Sequence, residues 1–174
     1  MPTEIERLVV ELASLVRDRY FGKYRGIVTD VEDPNRRAYI RAQVPEVYSD
    51  ADSPWAIPSV PFAGRDHGFI VLPEVGDGVW IEFEGGDPAR PIWSGAWWAD
   101  DEMPQGAGTQ KRAIITSAGH RLVLDDGAGE IRLEHGDGPS IVLGRDSITI
   151  EVGGQRIELS RSRVSINNGN LEVT

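Results

Sequence analysis

Ile141-Val142-Leu143-Gly144-Arg145-Asp146-Ser147-Ile148-Thr149-Ile150-Glu151-Val152-Gly153-Gly154-Gln155-Arg156-Ile157-Glu158-Leu159 is the stretch from which the C-terminal half of the chain can be read. It contains three apolar pairs with i, i+2 spacing, Ile141/Leu143, Ile148/Ile150 and Ile157/Leu159, separated by Gly144-Arg145-Asp146 and Gly153-Gly154. An i, i+2 step puts both members on one face of a strand, and the glycine-rich intervals suit tight turns. The unit recurs outward in both directions as Leu122/Leu124, Ile131/Leu133, Val164/Ile166 and Leu171/Val173. First members lie seven to ten residues apart, room for a strand of about five residues and a turn of about three. Asp125-Asp126-Gly127, His135-Gly136-Asp137-Gly138-Pro139 and Asn167-Asn168-Gly169-Asn170 supply the remaining turns.

A strand that contributes two apolar side chains cannot enclose a core by itself, and it exposes backbone edges. Such strands could fold as a compact meander within one chain; a quasi-one-dimensional stack suits them better, because repeats bury their faces only by stacking. Residues 111–174 contain no Phe, Trp or Tyr, which points to a narrow core of Leu, Ile and Val. A single chain that thin would be poorly stabilised, and further copies around an axis would close it. The fourteen pair residues are therefore the expected core of an oligomeric stalk over 111–174.

Upstream, Ala99 to Gln110 is polar and rich in breakers, and reads as a linker. Over 21–98 the pattern is strands and turns, with strands expected at 23–31, 37–44, 68–72, 78–84 and 91–97. Asp33-Pro34-Asn35 makes the first two a hairpin, and Val79, Ile81 and Phe83 alternate with Trp80, Glu82 and Glu84. Five short strands joined by glycine and proline turns fit a five-stranded barrel of the OB type. The interval 45–65, with four prolines, reads as a long loop. At the N-terminus, residues 3–19 read as a helix: Thr3 and Glu6 have capping-box spacing, and Ile5, Leu8, Val9, Leu12, Leu15 and Val16 share one side. That stripe must pack either on its own domain or on another subunit.

Composition narrows function. The chain has 174 residues, with 18 Lys and Arg against 28 Asp and Glu, a net charge of -10. That sign disfavours a nucleic-acid backbone as partner. The absence of cysteine removes disulfides and thiolate chemistry. No window has the length of a membrane span and the acidic start lacks a signal-peptide pattern, so synthesis in the cytoplasm as a soluble protein is expected.

Tyr24-Arg25-Gly26-Ile27-Val28-Thr29-Asp30-Val31 with Asp33-Pro34, Arg41-Ala42-Gln43-Val44-Pro45, and the ordered run from Pro58 to Gly95 that includes Leu72-Pro73-Glu74-Val75-Gly76-Asp77-Gly78-Val79-Trp80 and Arg90-Pro91-Ile92-Trp93 carry a family resemblance. Together with Lys111-Arg112, Ile114-Ile115-Thr116-Ser117-Ala118-Gly119-His120 and the first apolar pairs, they resemble the spike proteins of contractile-tail baseplates: the phage baseplate assembly protein V type, VgrG spikes and their relatives in extracellular injection systems. The resemblance covers roughly 20–174 and implies an all-β chain with a short N-terminal helix, an OB barrel and a triple-stranded β-helix or β-prism formed by three chains. It further implies a homotrimer on the particle axis that adapts a six-fold tube end to a three-fold tip and punctures a target envelope. Separate hub and baseplate proteins, the inner tube end, a PAAR-like tip protein and transient contact with the target membrane are the implied partners. Assembly in the cytoplasm and incorporation in a phage-tail-like baseplate, with extracellular release in some systems, is the implied location.

Catalytic chemistry finds little support in the sequence. His67, His120 and His135 have no ligand spacing, and the histidine-x-histidine element by which some relatives hold iron is absent from the C-terminus. No metal or cofactor is expected. Asp125/Asp126 and Asp100/Asp101 are adjacent in sequence, which is not the cross-cleft separation of a glycosidase pair. The lysozyme domain of certain relatives would occupy the place of the linker, which is too short for it. The remaining alternative is an OB-type binding module for oligosaccharide or single-stranded nucleic acid, using Trp55, Trp80, Trp93, Trp97 and Trp98 as stacking rings; Glu82, Glu84, Asp87 and Asp100 to Glu102 surround them with like charge. In the stalk, Arg132, Arg145, Arg156, Arg161 and Arg163 interleave with acids and are expected to relieve repulsion between copies.

Overall fold

The structure, a computed structural model, describes residues 3–106 and 108–173, without the side chains of Ser14, Leu15 and Glu172. It forms two compact units divided between Glu102 and Met103.

The first unit starts with α1 (Glu4–Arg17). Its capping box is formed: the Thr3 hydroxyl accepts from the Glu6 N–H at 3.3 Å, and the Glu6 carboxylate accepts from the Thr3 N–H at 2.6 Å. Every described side chain of this helix is exposed, so the apolar stripe is not packed on its own unit, and Leu15 of that stripe lies outside the described side chains. The barrel follows, built from β1 (Tyr24–Asp30), β2 (Arg41–Gln43), the four-residue helix α2 (Pro45–Tyr48), β3 (Ile57–Pro58), a small hairpin of β4 (Ala63–Gly64) and β5 (His67–Gly68), β6 (Gly78–Phe83) and β7 (Pro91–Trp97). Its sheet order is β2-β1-β6-β7-β3, with β3 parallel to β7 and the other neighbours antiparallel. Bridges Ile40↔Ala56 and Gln43↔Asp52 join the two ends, so the five strands close.

Closure buries Val28, Ile40, Ala42, Val44, Ala56, Val79, Ile81, Phe83 and Trp93. The expected alternation is present in β6: Val79 and Ile81 are fully buried, and Glu82 turns outward to Lys23 at 2.6 Å. Asp33 fixes the β1–β2 turn by accepting from the Asn35 N–H (3.0 Å) and the Arg37 N–H (2.6 Å). Tyr48 donates to the Pro88 carbonyl at 2.5 Å, and burial beside Asp87 pushes its hydroxyl up to about 12.

Two expectations fail here. The fifth barrel strand is β3, inside the interval read as loop, and not 68–72. Pro58 can sit there because β3 is a two-residue strand at the end of the sheet order, where a missing N–H costs little. Phe69-Ile70-Val71-Leu72 resembles a strand in composition but lacks alternation, and its position beside β7 is occupied; all four side chains stay exposed. The interval 45–65 also contains α2, with Pro45 at its start, where a proline is tolerated.

The second unit is one antiparallel meander of eight strands in sequence order: β8 (Lys111–Ile115), β9 (Arg121–Asp125), β10 (Glu130–Glu134), β11 (Ser140–Leu143), β12 (Ser147–Val152), β13 (Gln155–Ser160), β14 (Val164–Ile166) and β15 (Leu171–Val173). The expected turns join them. Gly153 and Gly154, both with positive φ (56° and 83°), make the two-residue β12–β13 turn whose twist suits a hairpin.

Candidate trimerisation interface

The registers decide what the apolar pairs do. Leu122 stands opposite Leu133, then Ile141, Ile150, Ile157, Ile166 and Leu171 in succession; Leu124 stands opposite Ile131, then Leu143, Ile148, Leu159, Val164 and Val173. The fourteen residues therefore form two parallel columns on one face of the sheet. A slip of one residue in any strand would move its pair to the other face, and none has slipped. Ile114, opposite Leu122, extends one column into β8. Sequence reading missed it because its i−2 neighbour is Arg112, which stands opposite Leu124 and pairs with Asp126 at 2.5 Å.

Within one chain the columns are brought together but not covered. Ile150, the most protected of the exposed members, keeps 37% of its surface in water, and Leu133, Leu171 and Val173 keep 54, 56 and 62%. Fully burying such a side chain is worth about 1.5–3 kcal/mol, so on the order of 1 kcal/mol per residue remains available to a partner surface. An apolar ladder of this length is larger than soluble monomers ordinarily leave open.

The opposite face is polar and better covered. Arg132 bridges Glu130 (2.7 Å) and Glu134 (2.9 Å), and these hydrogen bonds hold its guanidinium above the ordinary arginine range. Arg156 contacts Glu158 (2.9 Å) and Thr149 (3.2 Å), and Arg161 pairs with Asp146 at 2.9 Å. Within one chain these three arginines have acidic partners on or beside their own strands. Charge is unevenly distributed along the chain: residues 103–174 carry eight Lys and Arg against nine Asp and Glu, whereas residues 1–102 carry ten against nineteen. The stalk is almost neutral and has little repulsion to relieve.

The alternative sites are taken apart by the fold. Trp93 is in the barrel core and donates to the Ala38 carbonyl at 3.1 Å. The Arg25 guanidinium lies 5.8 Å from the Trp80 ring and 5.1 Å from Trp97, and Arg41 lies 4.8 Å from Trp55. Of the five rings only Trp98 is largely exposed, at 63%. His120 and His135, far apart in sequence, are in contact with ring centroids 4.3 Å apart, and each Nδ1 accepts a backbone N–H, from Gly136 and Asp137. That contact joins the β8–β9 and β10–β11 turns and was hidden by the sequence separation. Among the described residues no cluster of three or more metal-binding side chains occurs, and no helix is long and apolar enough to cross a membrane.

Comparison with known families agrees with both units. Residues 24–98 match the type VI secretion system/phage-baseplate injector OB domain, and residues 111–172 match the phage baseplate V C-terminal trimerisation domain. Both are structural baseplate families. No curated protein matches the chain. With an OB-domain match followed by a trimerisation-domain match, the chain belongs to the baseplate spike family.

Proposed function

We propose that the chain is the axial spike of a contractile injection baseplate, a homotrimer in which three stalks turn their apolar columns toward a common axis. Leu122, Leu124, Ile131, Leu133, Ile141, Leu143, Ile148, Ile150, Ile157, Leu159, Val164, Ile166, Leu171 and Val173 are its trimer core. The observation that carries this reading is the unbroken two-column ladder, held in register over seven strands and open to water in one chain. The match to a trimerisation domain supports three copies over two.

On this reading the barrels sit at the end of the inner tube, against hub and baseplate proteins, and convert its six-fold symmetry to three-fold. The stalk points at the target and meets the envelope first when the sheath contracts. A prism or β-helix of three chains suits that load, because unfolding requires the chains to separate together and the barrier is correspondingly high. A PAAR-like protein caps the C-terminal end, where β15 offers the most exposed rung. The role is mechanical and uses neither metal nor cofactor. A peptide tag on the C-terminus of the chain tests the placement: electron microscopy of labelled particles is expected to show it at the baseplate tip alone, and label along the tube, or in no particle, would overturn it.

The binding-module reading is less well supported, because four of the five tryptophans are in the core or under an arginine. It predicts a monomer whose tryptophan fluorescence responds to oligosaccharide or single-stranded nucleic acid.

A further inference from the structure

We propose that α1 is a second oligomerisation element: the three copies of this helix in one spike pack their apolar stripes together as a parallel three-helix bundle. The inference rests on the trimer reading above and adds a contact that the stalk does not require.

The helix has only fourteen residues, a length that is marginal in water without tertiary support. Yet Ile5, Leu8, Val9, Leu12 and Val16 are 55 to 73% exposed, so the support must come from outside the chain. What kind of surface covers them follows from spacing. Ile5, Leu8, Leu12 and, by sequence, Leu15 step by three, four and three residues, the seam of a coiled coil. Val9 and Val16 both fall at the next position and widen the seam on one side. A two-stranded coil covers little beyond a strict seam, whereas the wider stripe is what a helix in a bundle buries. Glu6, Arg7 and Arg17 lie on the other side, Glu4 and Glu11 border the stripe beside Leu8 and, by sequence, Leu15, and the helix carries three acids against two arginines, so its small net charge lets like copies meet without strong repulsion.

The root of the helix supports the parallel arrangement. The Tyr20 N–H donates to the Gly86 carbonyl at 2.9 Å, Arg19 Nη1 reaches the Gly85 carbonyl at 3.4 Å, and the Phe21 ring lies so close to Gly86 that a Cβ there would be 2.9 Å from it. The chain is thus tied to the barrel at the 3-10 turn Glu84–Gly86 immediately after α1. Copies related by rotation carry this root at equivalent points and send their helices in the same sense. Trimerisation elsewhere in the chain raises the effective concentration of the helices, so a bundle too weak to form between free chains can form here.

The absence of native cysteine allows a direct test in the full-length protein. Leu8→Cys puts a thiol on the stripe; Val10→Cys puts one roughly 140° from Ile5, on the far side. Each variant is treated with a short bismaleimide after its mass has been measured by light scattering. The bundle predicts covalent dimer from the trimeric L8C protein, at least tenfold more than from V10C, and the same from Leu12→Cys should L8C misfold. A trimeric mass with no preferential cross-linking at Leu8 or Leu12 overturns the bundle alone, with the stripe then left for a hub protein. A monomeric mass overturns the trimer and the bundle with it.

Discussion

The barrel and the stalk solve the same problem, hiding apolar β-structure, in opposite ways. In the barrel the sheet closes on itself, and nine apolar side chains fall to 7% exposure or less within one chain. In the stalk an eight-stranded sheet stays open, and most of its ladder retains more than a third of its surface. Charge follows the same division: the self-sufficient unit carries nearly all of the negative charge, and the unit with the open face is close to neutral. A surface that must meet copies of itself cannot afford a large net charge, whereas one that meets solvent or other proteins can. On the proposed reading the stalk is one part of an interface, and its stability belongs to the assembly.

That contrast can be broken most sharply at the ladder. Ile148→Glu would place a carboxylate in the proposed shared core once per chain, where an unpaired charge costs several kcal/mol. It is expected to reduce the particle to single chains by light scattering while leaving the tryptophan emission unchanged, since all five tryptophans lie between 55 and 98. The mirror experiment is Ile81→Ala in the barrel. Removing a fully buried side chain there should cost about 2–5 kcal/mol, lowering the tryptophan-detected transition while the assembly keeps its mass.

A smaller effect is expected from Gly78→Ala. The added Cβ would come within 2.7 Å of the Trp97 ring and 2.8 Å of its carbonyl oxygen, so the β6–β7 pair must shift, at about 1–3 kcal/mol. Thermal unfolding followed by tryptophan fluorescence would measure it, and again the mass should not change.

The smallest effect is acid dependence, present in both units. The Ala128 N–H and then Lys111 hold the Asp125 carboxyl below its usual range in the stalk; hydrogen bonds from Lys23 and Ser94 do the same for Glu82 in the barrel. A depressed carboxyl contributes stability that is fully present above its unfolded pKa of about 4 and is lost as pH falls through the folded value. Asp125→Asn is therefore expected to flatten the acid limb of stalk melting, followed by far-ultraviolet circular dichroism, without touching the barrel's limb.

Much of this was legible in the sequence, for reasons that differ between the units. In the stalk the i, i+2 pairs and the glycine or asparagine turns are local signals, so strands, turns and the identity of the apolar face could all be read. Local signals could not say that every register would align the pairs into columns, nor that Arg112 would interrupt one column at its first rung. In the barrel, Val79, Ile81 and Phe83 announced their face by alternation. The fifth strand was misread because Ile57-Pro58 has no strand signal of its own; it is made a strand by β7 beside it, while Phe69 to Leu72 has the composition and lacks the partner. The contact of His120 with His135 was invisible for the same reason, being a product of the meander's pitch.

The central claim, that the open ladder is the inner face of a three-chain stalk, is tested most directly by the absolute mass of the full-length protein in solution. Light scattering at low micromolar concentration should give about 57 kDa, three times the chain mass of 19.1 kDa. A stable species of 19.1 kDa with the far-ultraviolet signature of a folded stalk would contradict the account, because the ladder would then be tolerating water without a partner.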